Sequence, residues 1–182
     1  MTNLRSRYVS QAVGKVLEVG IGSGLNLSHY GCAVESITGV DPAEALTQKA
    51  RQRADRIRAD VAVIGVSGES IPVRSETFDT VVCTWTLCSI PDPQAAIAEM
   101  YRALKPDGKL IFVEHGQSPE PKISKWQHRI EPYWKVVAGG CHLTRRIDDL
   151  VTAGGFEIKS FESGYQKGPK IAAFMMHGIA TR

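Results

Sequence analysis

Val16-Leu17-Glu18-Val19-Gly20-Ile21-Gly22-Ser23-Gly24 is the stretch that decides the fold of this 182-residue chain. A β-branched run ends in three glycines spaced GxGxG, and a helix is expected to follow. Glycines at the end of a strand permit positive φ and let a ligand approach the backbone closely. In a doubly wound sheet that spot is the cleft beyond the strand ends, where cofactors bind. A dinucleotide fingerprint needs a further glycine at position 25, which is Leu25 here. Glu18 also argues against a pyrophosphate, because a carboxylate repels it, and suits a ligand carrying positive charge. Asp41 lies 21 residues beyond Gly20, at the end of the next apolar run. An acidic residue there accepts bonds from ribose hydroxyls, and through its other oxygen it can cap the helix that starts at Pro42. These features point to a nucleoside-bearing cofactor without phosphates.

Around this loop, short apolar runs alternate with amphipathic stretches. Ser36–Val40, Val61–Gly65, Thr80–Cys83 and Lys109–Glu114 read as further strands. Residues 43–58 carry apolar side chains at helical spacing. Asp92-Pro93 reads as an N-cap followed by proline in the first turn, with Ile97, Met100, Tyr101 and Leu104 as the buried stripe. Thr144 is expected to cap another helix that Gly154 ends. Phe156–Phe161 and Lys170–Met176 are two late strands joined through Gly164–Pro169. The alternation predicts an α/β fold: a Rossmann-like, seven-stranded sheet, mostly parallel with one antiparallel strand, helices covering both faces. Residues 1–182 make one domain, and residues 117–142 break the rhythm as an insertion or lid. Trp126, Ile130, Trp134 and Val137 are its expected apolar stripe, which Pro132 would kink or divide.

Composition narrows the function classes. The chain is 43% hydrophobic and 23% charged, enough for a packed core without disulfides. With 22 Lys+Arg against 19 Asp+Glu, the charge is too balanced to imply a nucleic-acid partner. No apolar run is long enough for a transmembrane helix, and the first residues carry no signal-peptide core. Four scattered cysteines without CxxC or HxxxH spacing point to reduced thiols in the cytoplasm and to no metal site.

With these motifs in place, the sequence resembles the class I S-adenosylmethionine-dependent methyltransferases. Glu18–Gly24 is similar to their ExGxGxG motif and Thr38-Gly-Val-Asp41-Pro42 to their second motif. Gly68-Glu69-Ser70-Ile71-Pro72, then Thr77-Phe78-Asp79, resembles the segment that cradles adenine and enters the fourth strand. Leu104-Lys-Pro-Asp-Gly108 resembles the turn before the fifth strand. Val82–Ser89, Glu114-His115 and Gly140–Arg145 are similar to the methyltransferase-like 7 group, whose members are associated with methylation of alkyl thiols.

The resemblance implies S-adenosylmethionine as cofactor and a residue-by-residue assignment. Glu18 holds the methionyl ammonium, directly or through water. Gly20, Gly22 and Gly24 bring backbone to the cofactor, and Asp41 with Pro42 meets the ribose. Gly68 and Glu69 flank the adenine, Glu69 through its backbone. The family often has an aspartate near Ser67, which this chain lacks. Thr84 and Leu87 line the pocket below the fourth strand. The group's animal members carry an N-terminal hydrophobic anchor that this sequence does not show, so no integral membrane association is expected. Members also carry an N-terminal helical segment over the cofactor. Here only about fifteen residues precede the glycine loop, which predicts a more open pocket.

Methyl transfer from a sulfonium is an in-line displacement in which alignment and exclusion of water do most of the work. A base matters when the nucleophile must lose a proton. His115, at the end of the fifth strand, is the catalytic candidate, since imidazole titrates near neutrality. The expected reaction is methyl transfer to a small acceptor, an alkyl thiol first. A lipid or quinone-like acceptor, or a non-catalytic module that only binds the cofactor, are the alternatives.

Overall fold

The chain is seen in a computed structural model that describes residues 2–182. Its strands are β1 (Gly14–Val19), β2 (Val34–Val40), β3 (Asp60–Ile64), β4 (Phe78–Thr84), β5 (Leu104–His115), β6 (Glu157–Tyr165) and β7 (Phe174–Thr181). They form one sheet in the order β3-β2-β1-β4-β5-β7-β6. The first five are parallel, and β7 runs antiparallel to both β5 and β6. The expected seven-stranded Rossmann-like sheet is therefore present.

Alternation along each strand explains the two-faced core. Leu17, Val19, Val81, Cys83, Leu110 and Phe112 pack on one face, against α3 (Pro93–Ala103) and α5 (Ile147–Ala153). Val16, Val82, Ile111 and Val113 pack on the other, against α1 (Thr2–Val9) and α2 (Glu44–Ala54). The start of α3 is as the sequence predicts: Asp92 Oδ1 accepts the N–H groups of Gln94 and Ala95 at 3.1 and 3.0 Å, with Pro93 at the first helical position. Leu104 stands opposite Phe78 and Lys109 opposite Thr80, so residues 105–108 bulge out where the sequence shows a turn.

Several elements differ from the expectation. After the glycine loop there is only a 3-10 turn, Leu27–His29, because Asn26 is tied back by its side chain to Glu18 and Thr84. The N-terminal residues do form a helix: α1 buries Leu4, Tyr8 and Val9, and the Tyr8 hydroxyl meets His177 Nδ1 at 2.8 Å. Residues 170–172 are a 3-10 turn, and β7 begins at Phe174, where five successive residues are buried between β5 and β6. Thr144 donates to Glu131 instead of capping, and α5 starts at Ile147.

Residues 117–142 hold α4 (Pro121–Val137), which continues through Pro132 without division. Its inward face is Gln127, Ile130 and Trp134, whereas Trp126 is 51% and Val137 80% exposed, so the expected stripe splits across two faces. Gln127 clamps the helix down. Its carbonyl accepts Ser118 N–H at 2.8 Å, and its amide donates to the carbonyls of Gly116 and Ile171 at 3.2 and 3.1 Å. Among the described residues no helix is long and apolar enough to cross a membrane.

Candidate active site

At the carboxyl ends of β1, β2 and β4 lies a cleft of about 560 Å³. Gly20, Gly22, Asp41, Pro42, Gly68 and Thr84 all line it, so the structure gathers six of the ten expected cofactor residues around one cavity. Gly20 has φ +77°, and a Cβ there would collide with the side chain of Thr86, which also lines the cleft. Only glycine fits that turn. Asp41 holds the loop from the side: Oδ2 accepts Gly22 N–H at 3.0 Å and Oδ1 accepts Ala43 N–H at 2.9 Å. Each oxygen keeps a lone pair for a further donor. Leu46, Ile90 and Pro91 give the cleft apolar walls, and among its described lining residues none is basic. That donor set suits a nucleoside with hydroxyls and no phosphate; a pyrophosphate would meet a carboxylate and no cation.

Four expected residues stand behind the lining. Glu18 is 1% exposed, and its two oxygens accept the Asn26 amide at 2.9 Å and the Tyr30 hydroxyl at 2.8 Å. Burial raises its pKa to about 7, against the pull of the two hydrogen bonds and of Arg5. Asn26 in turn accepts from Arg5 of α1 at 2.6 Å and donates to Thr84 Oγ1 at 2.9 Å. Glu18 thus reaches the cleft wall through Asn26 and Thr84. Gly24 backs onto Ala50 of α2. Glu69 accepts from Asp92 N–H at 2.7 Å and from Ser67 Oγ at 2.8 Å, bracing the loop around Gly68 with its charge. Leu87 is fully buried in the core.

The far wall of the cleft is the turn after β4. Trp85 sits there with φ +53°, an uncommon backbone for a bulky side chain, and the Arg5 guanidinium stacks 4.2 Å from its ring. The turn is pinned by Glu114 of β5, a fully buried carboxylate. Its Oε1 accepts the N–H groups of Thr86 and Leu87, both at 3.0 Å, and its Oε2 that of Cys88 at 3.1 Å. Burial raises the Glu114 pKa, and the three backbone donors oppose the rise.

His115 follows Glu114 and is half-buried. It lines a separate cavity of about 510 Å³ with Trp134, Met175, Ala172 and Ala173. Trp134 lies one turn before Ala138 and Gly139, which line the first cleft, so the end of α4 borders both spaces. His115 Nδ1 faces two thiols, Cys141 Sγ at 3.5 Å and Cys88 Sγ at 3.9 Å. Hydrogen bonding with Cys88 holds the Cys141 thiol below its ordinary pKa, while the Cys88 thiol is pushed up, first by that same bond and then by burial. His142 is not part of this group: its Nδ1 pairs with Glu131 at 3.0 Å.

Sequence reasoning misses Asn26 and Tyr30 as partners of Glu18, and Glu114 as the anchor of the turn. A carboxylate inside an otherwise apolar strand, Leu110-Ile-Phe-Val-Glu114, is the one signal that could have marked the anchor.

The sequence profile of the methyltransferase domain family matches residues 17–112. The chain is similar to human thiol S-methyltransferase TMT1B, 34% identical over 81% of this chain and 63% of that protein. It is also similar to phosphatidylethanolamine N-methyltransferase of Cereibacter sphaeroides, 30% identical over 59% of this chain and 54% of that one. A crystal structure of an SAM-dependent methyltransferase from Methanosarcina mazei superposes with a TM-score of 0.74 at 24% identity, over 94% of this chain and 93% of that one. The chain spans little more than half the length of the curated relatives it matches, 54% to 63% for the thiol methyltransferases.

Proposed function

The chain belongs to the methyltransferase domain family, in its S-adenosylmethionine-dependent class I fold, and on that premise we propose that it methylates a small alkyl thiol. The observation that carries the reading is the pair of cavities. A cleft with a carboxylate and no cation and a cavity with His115 both border the end of α4.

S-adenosylmethionine, when bound, supplies a methyl group already activated on a sulfonium. Asp41 is the residue for the ribose hydroxyls, with Gly20 and Gly22 giving close backbone approach and Leu46, Ile90 and Pro91 the apolar walls for the base. Glu18, once ionised above about pH 7, sets negative potential behind Thr84, on the side where a methionyl ammonium needs it. His115 takes up the proton that a thiol must lose to become a nucleophile. Trp134, Met175 and Ala172 give its cavity an apolar wall that suits an alkyl chain and excludes water. The thiol is favoured over other acceptors by the similarity to a thiol S-methyltransferase across most of this chain. Balanced charge and buried reduced thiols fit a small-molecule acceptor in a reducing cytoplasm.

A lipid acceptor is the second reading, favoured by the similarity to a phosphatidylethanolamine N-methyltransferase. An acceptor screen with methyl-labelled S-adenosylmethionine separates the two. Label is expected in alkyl thiols. Transfer confined to phosphatidylethanolamine vesicles or to a quinol would overturn the thiol reading. No transfer at all, with S-adenosylhomocysteine still bound, would leave a binding module.

A further inference from the structure

The geometry points to a soft-metal site that the sequence spacing does not show: Cys88, His115 and Cys141 as three ligands for Zn2+, at the edge of the acceptor cavity. The three residues come from separate places, the turn after β4, the end of β5 and the segment after α4. Their donor atoms all lie within 4.8 Å of one another. The two sulfur-to-nitrogen distances are 3.5 and 3.9 Å. A tetrahedral zinc with ordinary Zn–S and Zn–N bonds puts ligand S and N about 3.6 Å apart and two ligand sulfurs about 3.8 Å apart. The observed triangle meets that requirement with shifts of a few tenths of an ångström for the nitrogen and at most about 1 Å for the sulfurs.

Chemistry and support agree with the distances. Two thiolates and an imidazole are a soft donor set that selects zinc or copper(I) over magnesium or calcium. Cys88 is 1% and Cys141 5% exposed, so the ligands are screened from solvent, while His115 opens the group toward its cavity. The backbone carrying Cys88 is fixed by Glu114, and Cys88 O accepts His142 N–H at 2.6 Å, tying the Cys141 segment to the same turn. Ile130, Trp134 and Leu143 pack around the sulfurs and give the dry shell that such sites use.

Three protein ligands leave a four-coordinate zinc one position for a water or a substrate atom. A thiol is the ligand that suits it. This last step rests on the thiol reading above: a thiol held there would lose its proton to solvent, and its sulfur would form a bond to the methyl carbon as the sulfonium C–S bond breaks and S-adenosylhomocysteine leaves. In the loaded protein the ion then does for the thiol what the free imidazole does in the metal-free form.

The test needs no turnover. Protein freed of metal with a chelator and kept reduced is titrated with Co2+. A thiolate-to-cobalt charge-transfer band and the visible bands of tetrahedral cobalt are expected at one equivalent, and Zn2+ should displace them. Cys141→Ser and His115→Ala should each weaken binding by more than about a hundredfold, since even outer partners of a ligand cost 10–100-fold. Because Cys88 is deep in the fold, Cys88→Ser is read together with circular dichroism. Cys32→Ser, at an exposed thiol outside the group, should leave the titration unchanged. Absence of the charge-transfer band in protein that still binds S-adenosylhomocysteine would overturn the site. So would a Cys88–Cys141 disulfide that forms in the presence of excess Zn2+. An intact cobalt band without thiol methylation would remove the acceptor reading and leave the metal site standing.

Discussion

Asp41 Oδ2 accepts the backbone N–H of Gly22 at 3.0 Å, so the carboxylate directly after β2 clasps the glycine loop that follows β1. Its other oxygen accepts Ala43 N–H at 2.9 Å and starts the turn into α2. The same side chain therefore shapes the loop and faces the cleft.

Asp41→Ala should cost S-adenosylhomocysteine binding roughly 1.5–3 kcal/mol, ten- to a hundredfold in affinity, through lost charge-assisted bonds. The fold should lose only about 1 kcal/mol, the usual worth of a side chain that caps a turn. Calorimetry and urea unfolding on the same preparation measure both. Unchanged affinity with lowered stability would make Asp41 a clasp and nothing more.

Gly20→Ala should fail in the opposite proportion. The added Cβ meets Thr86, and φ +77° is strained for any L side chain, so stability should fall by about 1–3 kcal/mol. Cofactor affinity should drop with it, because Thr86 and Gly20 share the cleft wall. Alanine tolerated at wild-type stability would mean that the loop can open away from β4.

The local parts of this architecture are legible in the sequence because they are made by neighbours. Asp92 caps α3 through residues two and three positions away, and alternation within β4 and β5 divides the core between two faces. The glycine loop and Asp41 announce the cleft for the same reason. The parts that were not legible depend on contacts across the chain. Nothing near Glu18 says that Asn26 will fold back onto it and replace the expected helix with a 3-10 turn. In α4, helical spacing makes Trp126 and Val137 as good as Ile130 and Trp134, and only the distant Cys88, Leu143 and Ile171 decide which face turns inward. Cys88 and Cys141 are 27 and 26 residues from His115, too far apart for any short motif.

Glu18 sets a pH dependence of stability with a definite sign. Its folded pKa of about 7 lies above the value near 4.3 of an unfolded glutamate. Between those values the folded chain holds a proton that the unfolded chain has released. This group's contribution is therefore full below the unfolded pKa and is lost as pH rises through about 7, by roughly 4 kcal/mol in all. Urea unfolding of wild type and Glu18→Gln at about pH 5 and pH 8 isolates it. The wild type should lose stability relative to the variant as pH rises. A constant difference would show that Glu18 is already ionised in the folded protein at about pH 5.

His115→Ala separates acid–base work from alignment. If the imidazole takes the thiol proton, kcat should fall by roughly a hundredfold. Cofactor affinity should stay within about twofold of wild type, because His115 lines the second cavity and not the cofactor cleft. Raising the pH toward the thiol pKa of about 8.5 should recover much of the rate, since the thiolate then forms without help. A zinc-loaded wild type should show a flatter profile than the metal-free protein, because the ion and not the imidazole then sets the acidity of the bound thiol. A variant that keeps full activity from about pH 6 to pH 9 would assign the rate to alignment and desolvation alone. In that case the half-buried histidine between two thiols keeps its place for the metal and not for the proton.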